Sequence, residues 1–235
     1  MHNYHFVKMQ RQNTSTGPQT NDNGNRSATR TKRSVAEPKT FWENATTLTF
    51  SFMEELPESV KYRIELAVRR WEPFVSLAFE LVENGKGQIR IALGGPDSYS
   101  AVGTDALLID PNEPTLVVSV EPDSPSFEHV LIHEFGHALG FSHAHLHPDA
   151  EIPWDKEAVY DYFIFQLGWE REQVDANLFT FDTEKSTLLF PYDKLSIMHY
   201  SIPGFLTRKK VESGSNMTIS EGDKSFARAI YPPIN

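Results

Sequence analysis

Residues 133–143, HEFGHALGFSH, place three histidines, a glutamate and a glycine at the spacing H-E-x-x-H-x-x-G-x-x-H. His133 and His137 are four residues apart, so an α-helix would place both imidazoles on one face, one turn apart. A buried helix with merely hydrogen-bonded histidines is the simpler alternative, but it gives no reason for the five fixed positions. The spacing therefore predicts a helix that presents two imidazoles to a single ion.

The glycine and the third histidine of this motif extend the same argument. Gly140 can adopt a left-handed conformation without a steric cost, which would end the helix and turn the chain back. His143 would then supply a third nitrogen. Three protein ligands leave one position for water, which is the arrangement of a catalytic rather than a structural zinc site. His145 and His147 are alternative third ligands, but they lie further beyond the turn and are expected to be exposed loop histidines.

Length and composition exclude several classes of protein. The 235 residues suit one domain, or two lobes around a cleft. The net charge of -10 disfavours nucleic acids and anionic membranes as partners, and no apolar run is long enough to span a bilayer. Because the chain has no cysteine, neither disulfides nor thiolate zinc ligands are available.

The composition changes near residue 40. Residues 1–40 hold seven basic and two acidic residues and few apolar ones, whereas residues 41–235 carry 15 basic and 30 acidic residues. We expect the first segment to be a disordered basic tail, or a removable pro-segment that lies across the acidic body. The sequence RTKR before Ser34 resembles a dibasic processing site, and a solvated basic tail is the alternative reading.

From residue 41 onward the hydrophobic pattern predicts a mixed sheet with helices packed on it. The predicted strands are 48–52, 75–82, 88–93 and 115–120. A first helix is predicted at 59–74, and Ser124 and Pro125 are start signals for the helix that carries the histidine motif. Two further helical segments, 151–169 and 171–179, are separated near Gly168.

A second motif, YDKLSIMHY at residues 192–200, reveals a family resemblance. Its last five residues, SIMHY, resemble the methionine turn of metzincin peptidases, and a tyrosine two residues after the methionine is typical of astacins. Three more segments resemble microbial astacin-like catalytic domains, namely SYSAVGTDA (98–106), IPWDKEAVY (152–160) and SEGDKSFARAIYP (220–232). The resemblance covers residues 41–235 and leaves the first 40 residues outside.

The resemblance implies an α+β metzincin (zincin-like) fold. In such a fold a mixed, mostly parallel, twisted sheet with helices forms the N-terminal lobe, an active-site helix carries the metal ligands, and the C-terminal lobe is largely irregular or helical. It also implies a zinc-dependent endopeptidase that needs no cofactor besides Zn²⁺. The alternative is a catalytically silent zinc-binding pseudoprotease that acts as a binding module.

The functional residues of the family have counterparts at the matching motif positions. Its zinc ligands match three histidines, His133, His137 and His143. Glu134 matches the general base, and Met198 matches the floor of the metal site. Tyr200 matches the weak extra ligand that moves away when substrate binds and then stabilises the oxyanion. The neighbouring His199 is expected to be structural.

The resemblance and the charge also suggest the partners. A protein or peptide substrate would bind as an extended strand against a sheet edge, for which residues 98–108 are the candidate. Neither nucleic acid nor membrane is expected as a partner, and a monomer is the expected state. The resemblance favours secretion, whereas the absence of a signal peptide and of cysteine is compatible with a cytoplasmic protein. Ala144 stands where astacins commonly have a glutamate that receives the freed amino terminus, so that form of docking is not expected here.

Overall fold

The computed structural model describes residues 7–10, 38–179, 190–214 and 216–234. Its central element is a six-stranded sheet, whose strands in chain order are β1 (Val7–Gln10), β2 (Thr47–Phe52), β3 (Ala78–Leu81), β4 (Ile89–Leu93), β5 (Ser98–Ala101) and β6 (Leu116–Val118). In space their order is β1-β5-β6-β4-β2-β3. Four of these five neighbouring pairs are parallel and the pair β5 and β6 is antiparallel. The prediction of a mixed, mostly parallel sheet is confirmed.

The predicted strands are present, but the second is shorter than expected. In β2 the side chains of Leu48, Phe50 and Phe52 are buried in the core. The predicted strand 75–82 is a strand only from Ala78 onward. The start of the predicted strand bonds outside the sheet, because the N–H of Ser76 donates to the carbonyl oxygen of Tyr231 at 3.1 Å.

The alternation of apolar and polar residues does not predict strand β5, because its sequence SYSA is rich in small polar residues. Ser98 and Ser100 are nevertheless buried. The hydroxyl of Ser98 accepts the N–H of Ser119 at 3.0 Å, and that of Ser100 donates to the carbonyl oxygen of Ala101 at 2.9 Å. Because both buried hydroxyls have hydrogen-bond partners, this strand can lie in the sheet without an apolar pattern.

Two helices share the core of the sheet, and their bounds differ from the predictions. Helix α1 is α-helical at Glu58–Val68 and continues as a 3-10 helix at Arg69–Phe74, which contains Pro73. Proline has no N–H to donate, so the predicted helix 59–74 cannot remain α-helical to its end. Helix α2 (Phe127–Ala138) has Ser126 at its N-cap, two residues after the predicted start signal. It packs against β5 and β6.

The C-terminal lobe is built from short helical segments. Helix α3 (Lys156–Tyr160) continues as a π-helix, and so does α4 (Arg171–Val174). Gly168, with φ 67°, separates them. Helix α5 (Glu221–Ile230) follows the second motif. Helix α5 packs in the core of the sheet, whereas the rest of the lobe has its own apolar core. In the described parts of the chain every helix falls short of the length and hydrophobicity that a bilayer span requires.

Candidate metal centre

Helix α2 carries His133 and His137 and fixes the orientation of both rings. Nδ1 of His133 lies 2.7 Å from the main-chain oxygen of Ile197, and Nδ1 of His137 lies 2.6 Å from that of Phe141. Because a carbonyl oxygen only accepts, each Nδ1 carries the hydrogen and each Nε2 keeps its lone pair. Burial lowers the pKa of His133 to about 4, although its hydrogen bond opposes that shift. Both rings are thus prepared to bind a metal through Nε2.

The turn after α2 brings the third histidine to the other two. Gly140 has φ 95°, and its N–H donates to the carbonyl oxygen of His137 at 2.8 Å. The N–H of Phe141 donates to the carbonyl oxygen of Gly136 at 3.0 Å, which completes a Schellman motif. The chain reverses at this point, and His143 follows three residues after the glycine.

Three imidazole nitrogens converge at the end of this turn. One ligand nitrogen from each of His133, His137 and His143 lies within 4.8 Å of the other two, and Nε2 of His137 and Nε2 of His143 are 3.0 Å apart. Two nitrogens that share a tetrahedral zinc ion at about 2.1 Å would be roughly 3.4 Å apart. Nε2 of His133 is buried and has no hydrogen-bond partner among the described residues. The donor set and its geometry therefore fit zinc, with a fourth position for water.

Glu134 follows the first histidine on the same helix. It is fully buried, and neither of its carboxylate oxygens has a hydrogen-bond partner among the described residues. Burial raises the pKa of this carboxyl group well above its ordinary value. A buried carboxyl group without a protein partner is uncommon and is typical of a functional site.

The methionine turn lies under the helix. Met198 is buried, and a side chain at Gly136 would collide with its sulfur and press against the ring of Trp71. Glycine in a helix costs about 1 kcal/mol relative to alanine. Gly136 is therefore explained by the close approach of Met198 beneath the histidines.

Asp223 holds the methionine turn in place and was not identified from the sequence. One of its carboxylate oxygens accepts the hydroxyl of Ser196 at 2.5 Å, and the other accepts the N–H groups of Ile197 at 2.8 Å and Ser220 at 2.9 Å. Burial raises the pKa of Asp223, and these hydrogen bonds oppose the shift. The sequence pattern that could have identified Asp223 is the spacing Ser-x-x-Asp at 220–223, which forms a capping box at the start of α5.

Tyr200 is buried beside the third histidine. Its ring centroid lies 4.2 Å from that of His143 and 4.3 Å from that of His145. Its main-chain oxygen lies 2.7 Å from Nδ1 of His199, which donates to it. Tyr200 belongs to the core of the C-terminal lobe and Met198 to the core of the sheet, so this turn joins the two cores next to the histidines.

The expectation that His145 and His147 are exposed is wrong. They are 3% and 4% exposed, respectively. Nε2 of His145 lies 2.8 Å from the main-chain oxygen of Asn177, and burial lowers the pKa of this histidine well below its ordinary value. Nε2 of His147 lies 3.1 Å from the main-chain oxygen of Phe190, and its ring stacks on Tyr192. The C-terminal lobe covers this loop, which no local pattern reveals, and neither residue joins the histidine cluster found among the described residues.

A mixed sheet, a helix with two ligand histidines and a third histidine after a glycine turn define a zinc metallopeptidase. The family model for the astacin peptidases matches residues 34–229. The solved structure of myroilysin is 37% identical with a TM-score of 0.78, over 86% of this chain and 100% of that one. High choriolytic enzyme 1, a hatching enzyme zinc-protease from Oryzias latipes, is 18% identical with a TM-score of 0.56, over 86% of this chain and 98% of that one, and supports the fold alone.

The chain belongs to the astacin family of zinc metallopeptidases. Its three histidines form the zinc site that is typical of astacins. Among curated relatives, zinc metalloproteinase nas-38 of Caenorhabditis elegans is 27% identical over 169 residues, which are 70% of this chain and 20% of that protein. The chain spans between 18% and 31% of the length of the curated relatives it matches.

Proposed function

We propose that the protein hydrolyses internal peptide bonds of proteins or peptides, using zinc bound by the three histidines. The observation that supports this best is a buried carboxylate, Glu134, next to the first ligand and without a protein partner among the described residues. A purely structural zinc site is normally closed by a fourth protein ligand and gains nothing from such a carboxylate. The pseudoprotease alternative therefore leaves Glu134 unexplained.

Glu134 and Tyr200 have complementary roles in this proposal. Zinc, when bound, lowers the pKa of a coordinated water to about 7 and polarises the substrate carbonyl. Glu134 accepts the proton of the attacking water and delivers it to the departing amine. The phenol of Tyr200 donates a hydrogen bond to the oxygen that becomes negative in the tetrahedral intermediate. Met198 packs beneath the histidines and is not a ligand.

The test is cleavage of casein and of an internally quenched peptide by the full-length protein, with and without a zinc chelator. We expect products cut at internal bonds, loss of cleavage on chelation and recovery on addition of zinc. Cleavage that persists after the metal is removed would reject the zinc mechanism. Zinc binding without any cleavage would instead favour the pseudoprotease.

Strand β5, which only β1 of the N-terminal segment separates from the edge of the sheet, is the proposed site for the substrate backbone. It is the strand beyond β6 in the sheet and packs against α2, which carries two of the metal ligands. A cavity of 440 Å³ is lined by Tyr99 of β5, Val117 of β6, and Gln173 and Asn177 of the C-terminal lobe. An extended peptide could add to β5 by main-chain hydrogen bonds and place side chains in this cavity. The net charge of -10 makes nucleic acid an unsuitable partner. We also propose that the protein acts as a monomer.

The N-terminal segment is proposed to regulate access to strand β5. Strand β1 (Val7–Gln10) pairs in parallel with β5, with Val7 opposite Ser98 and Gln10 opposite Ala101. A substrate strand and β1 would need the same main-chain groups of β5, so they would compete. The segment 1–40 is basic and the remainder is acidic, which favours this contact. We therefore propose a pro-segment followed by a catalytic domain at residues 41–235.

Deletion of residues 1–33 should increase cleavage of the quenched peptide, chiefly by lowering KM. The double substitution Lys8→Pro with Met9→Pro should have the same effect in the full-length chain, because proline cannot donate to a strand ladder. Ser27→Pro, which lies outside β1, is the matched control and should leave the rate unchanged. An unchanged KM in both the deletion and the double substitution would refute the regulatory role.

A further inference from the structure

Tyr200 is packed against a histidine that is not one of the three zinc ligands. The rings of Tyr200 and His145 are stacked, with centroids 4.3 Å apart and planes inclined by 19°. The ring of His143 lies 4.2 Å from that of Tyr200 and 5.0 Å from that of His145. The three rings therefore form one compact cluster, in which His145 covers a face of the phenol.

The C-terminal lobe holds His145 in this position. Nε2 of His145 donates its hydrogen to the main-chain oxygen of Asn177 at 2.8 Å, in the π-helix Asp175–Phe179. The side-chain amide of Asn177 donates to the carbonyl oxygen of Gln173, also at 2.8 Å. The place of the stacked ring is thus set by a segment 32 residues further along the chain.

Packing alone does not explain an imidazole at this position. Nδ1 of His145 is buried, and no hydrogen-bond partner for it exists among the described residues. A buried acceptor without a donor is a cost that an apolar ring would avoid. Phenylalanine could stack on Tyr200 in the same way, but it could not bond to Asn177. Histidine can both stack on Tyr200 and donate a hydrogen bond to Asn177.

We propose that His145 is a positioning residue for Tyr200, which holds the phenol where its hydroxyl can stabilise the oxyanion. This inference rests on the proposed function, because it assigns His145 a role in the peptide cleavage proposed above. His145 acts through the tyrosine and not on the substrate. Since the interaction with the oxyanion forms only in the transition state, loss of His145 lowers kcat and leaves KM nearly unchanged.

The test is a double-mutant cycle of His145→Ala and Tyr200→Phe, with kcat and KM measured on the quenched peptide. Tyr200→Phe should lower kcat roughly 100-fold, the effect of losing one oxyanion donor. His145→Ala should lower kcat about tenfold when the tyrosine is present, because small misplacements of a reacting group are costly. In the Tyr200→Phe background the same change should lower kcat by less than about twofold. Inhibition by a phosphinic peptide, a tetrahedral analogue, should weaken in step with kcat.

Two conservative variants separate the contribution of ring stacking on Tyr200 from that of the hydrogen bond to Asn177. His145→Phe keeps the ring and should retain kcat within about threefold of the unmodified protein. His145→Gln keeps a donor for Asn177 without the ring and should resemble His145→Ala. The matched control is His147→Ala, which removes a nearby buried imidazole that stacks on Tyr192, at 5.8 Å, and not on Tyr200. Zinc content and the thermal midpoint of unfolding show whether each variant is folded. If His145→Ala is not folded, kcat is compared between His145→Phe and His145→Gln instead.

The outcomes distinguish this inference from the proposed function. Equal losses of kcat with and without the tyrosine would overturn the positioning role, as would a change confined to KM. If Tyr200→Phe keeps its full kcat, Tyr200 has no part in the mechanism and His145 has nothing to position. If the unmodified protein binds zinc and cleaves no peptide, the proposed function itself fails.

Discussion

Replacing Glu134 by glutamine should abolish nearly all peptide hydrolysis while leaving the zinc in place. The amide is nearly isosteric with the carboxyl group, and no described residue hydrogen-bonds to either oxygen of Glu134, so the fold loses no protein contact. The amide of glutamine cannot take a proton from water, and loss of a general base typically lowers kcat by about 10²- to 10⁴-fold. The measurements are kcat on the quenched peptide and zinc per chain by elemental analysis.

The matched control for this variant is Glu128→Gln on the same helix. Glu128 is exposed and forms a surface ion pair with Arg63 at 3.8 Å. We expect this variant to retain its kcat and its zinc. If Glu134→Gln keeps the activity of the unmodified protein, another group must accept the proton and the proposed mechanism is wrong.

Replacing His143 by alanine should release the zinc and with it the activity. The remaining ligands, His133 and His137, would hold the ion by two nitrogens alone. Loss of a residue that merely supports a metal ligand costs about 10- to 100-fold in affinity, so loss of a ligand itself should cost more. Zinc affinity, measured by competition with a chelating dye, and kcat at limiting zinc would both report the change.

The corresponding control is His147→Ala, which tests the choice of third ligand. His147 follows in the same loop, but its Nε2 faces the main-chain oxygen of Phe190. Its removal should leave zinc affinity unchanged. A His147→Ala variant that loses zinc, or a His143→Ala variant that keeps it, would contradict the assignment of the third ligand.

The metal centre could be predicted because its ligands lie close together in the sequence. The positions of His133, His137 and His143 are set by one helix and one glycine turn, and both follow from local rules. The second motif could be identified only by resemblance. Its contact with the helix, through Met198 and Gly136, joins residues that are 62 positions apart in the sequence.

Other features depend on contacts that a local pattern does not encode. His145 and His147 lie beyond the glycine turn, in a segment that the sequence predicts to be an exposed loop, yet the C-terminal lobe covers them. Strand β5 has serines in place of an apolar alternation, and the buried hydroxyl of Ser98 accepts the N–H of Ser119, 21 residues away. Asp223 reaches the methionine turn from a helix that begins more than 20 residues later. In each case the decisive partner is distant in the sequence, so only the folded chain shows it.

The two cores of the molecule meet at the methionine turn. Met198 belongs to the core that contains the sheet, and Tyr200 belongs to the core of the C-terminal lobe. Asp223 fixes the turn from α5 through its bonds to Ser196 and Ile197. The position of Tyr200 relative to the histidines therefore depends on both lobes.

The most direct test is a zinc titration of the metal-free full-length protein, in which bound zinc and hydrolysis of the quenched peptide are followed together. Hydrolysis should be absent at the start, rise in proportion to the zinc bound and reach its maximum at one zinc per chain. Hydrolysis before zinc is added, or none when the site is full, would contradict the proposal that zinc at the three histidines cleaves peptide bonds.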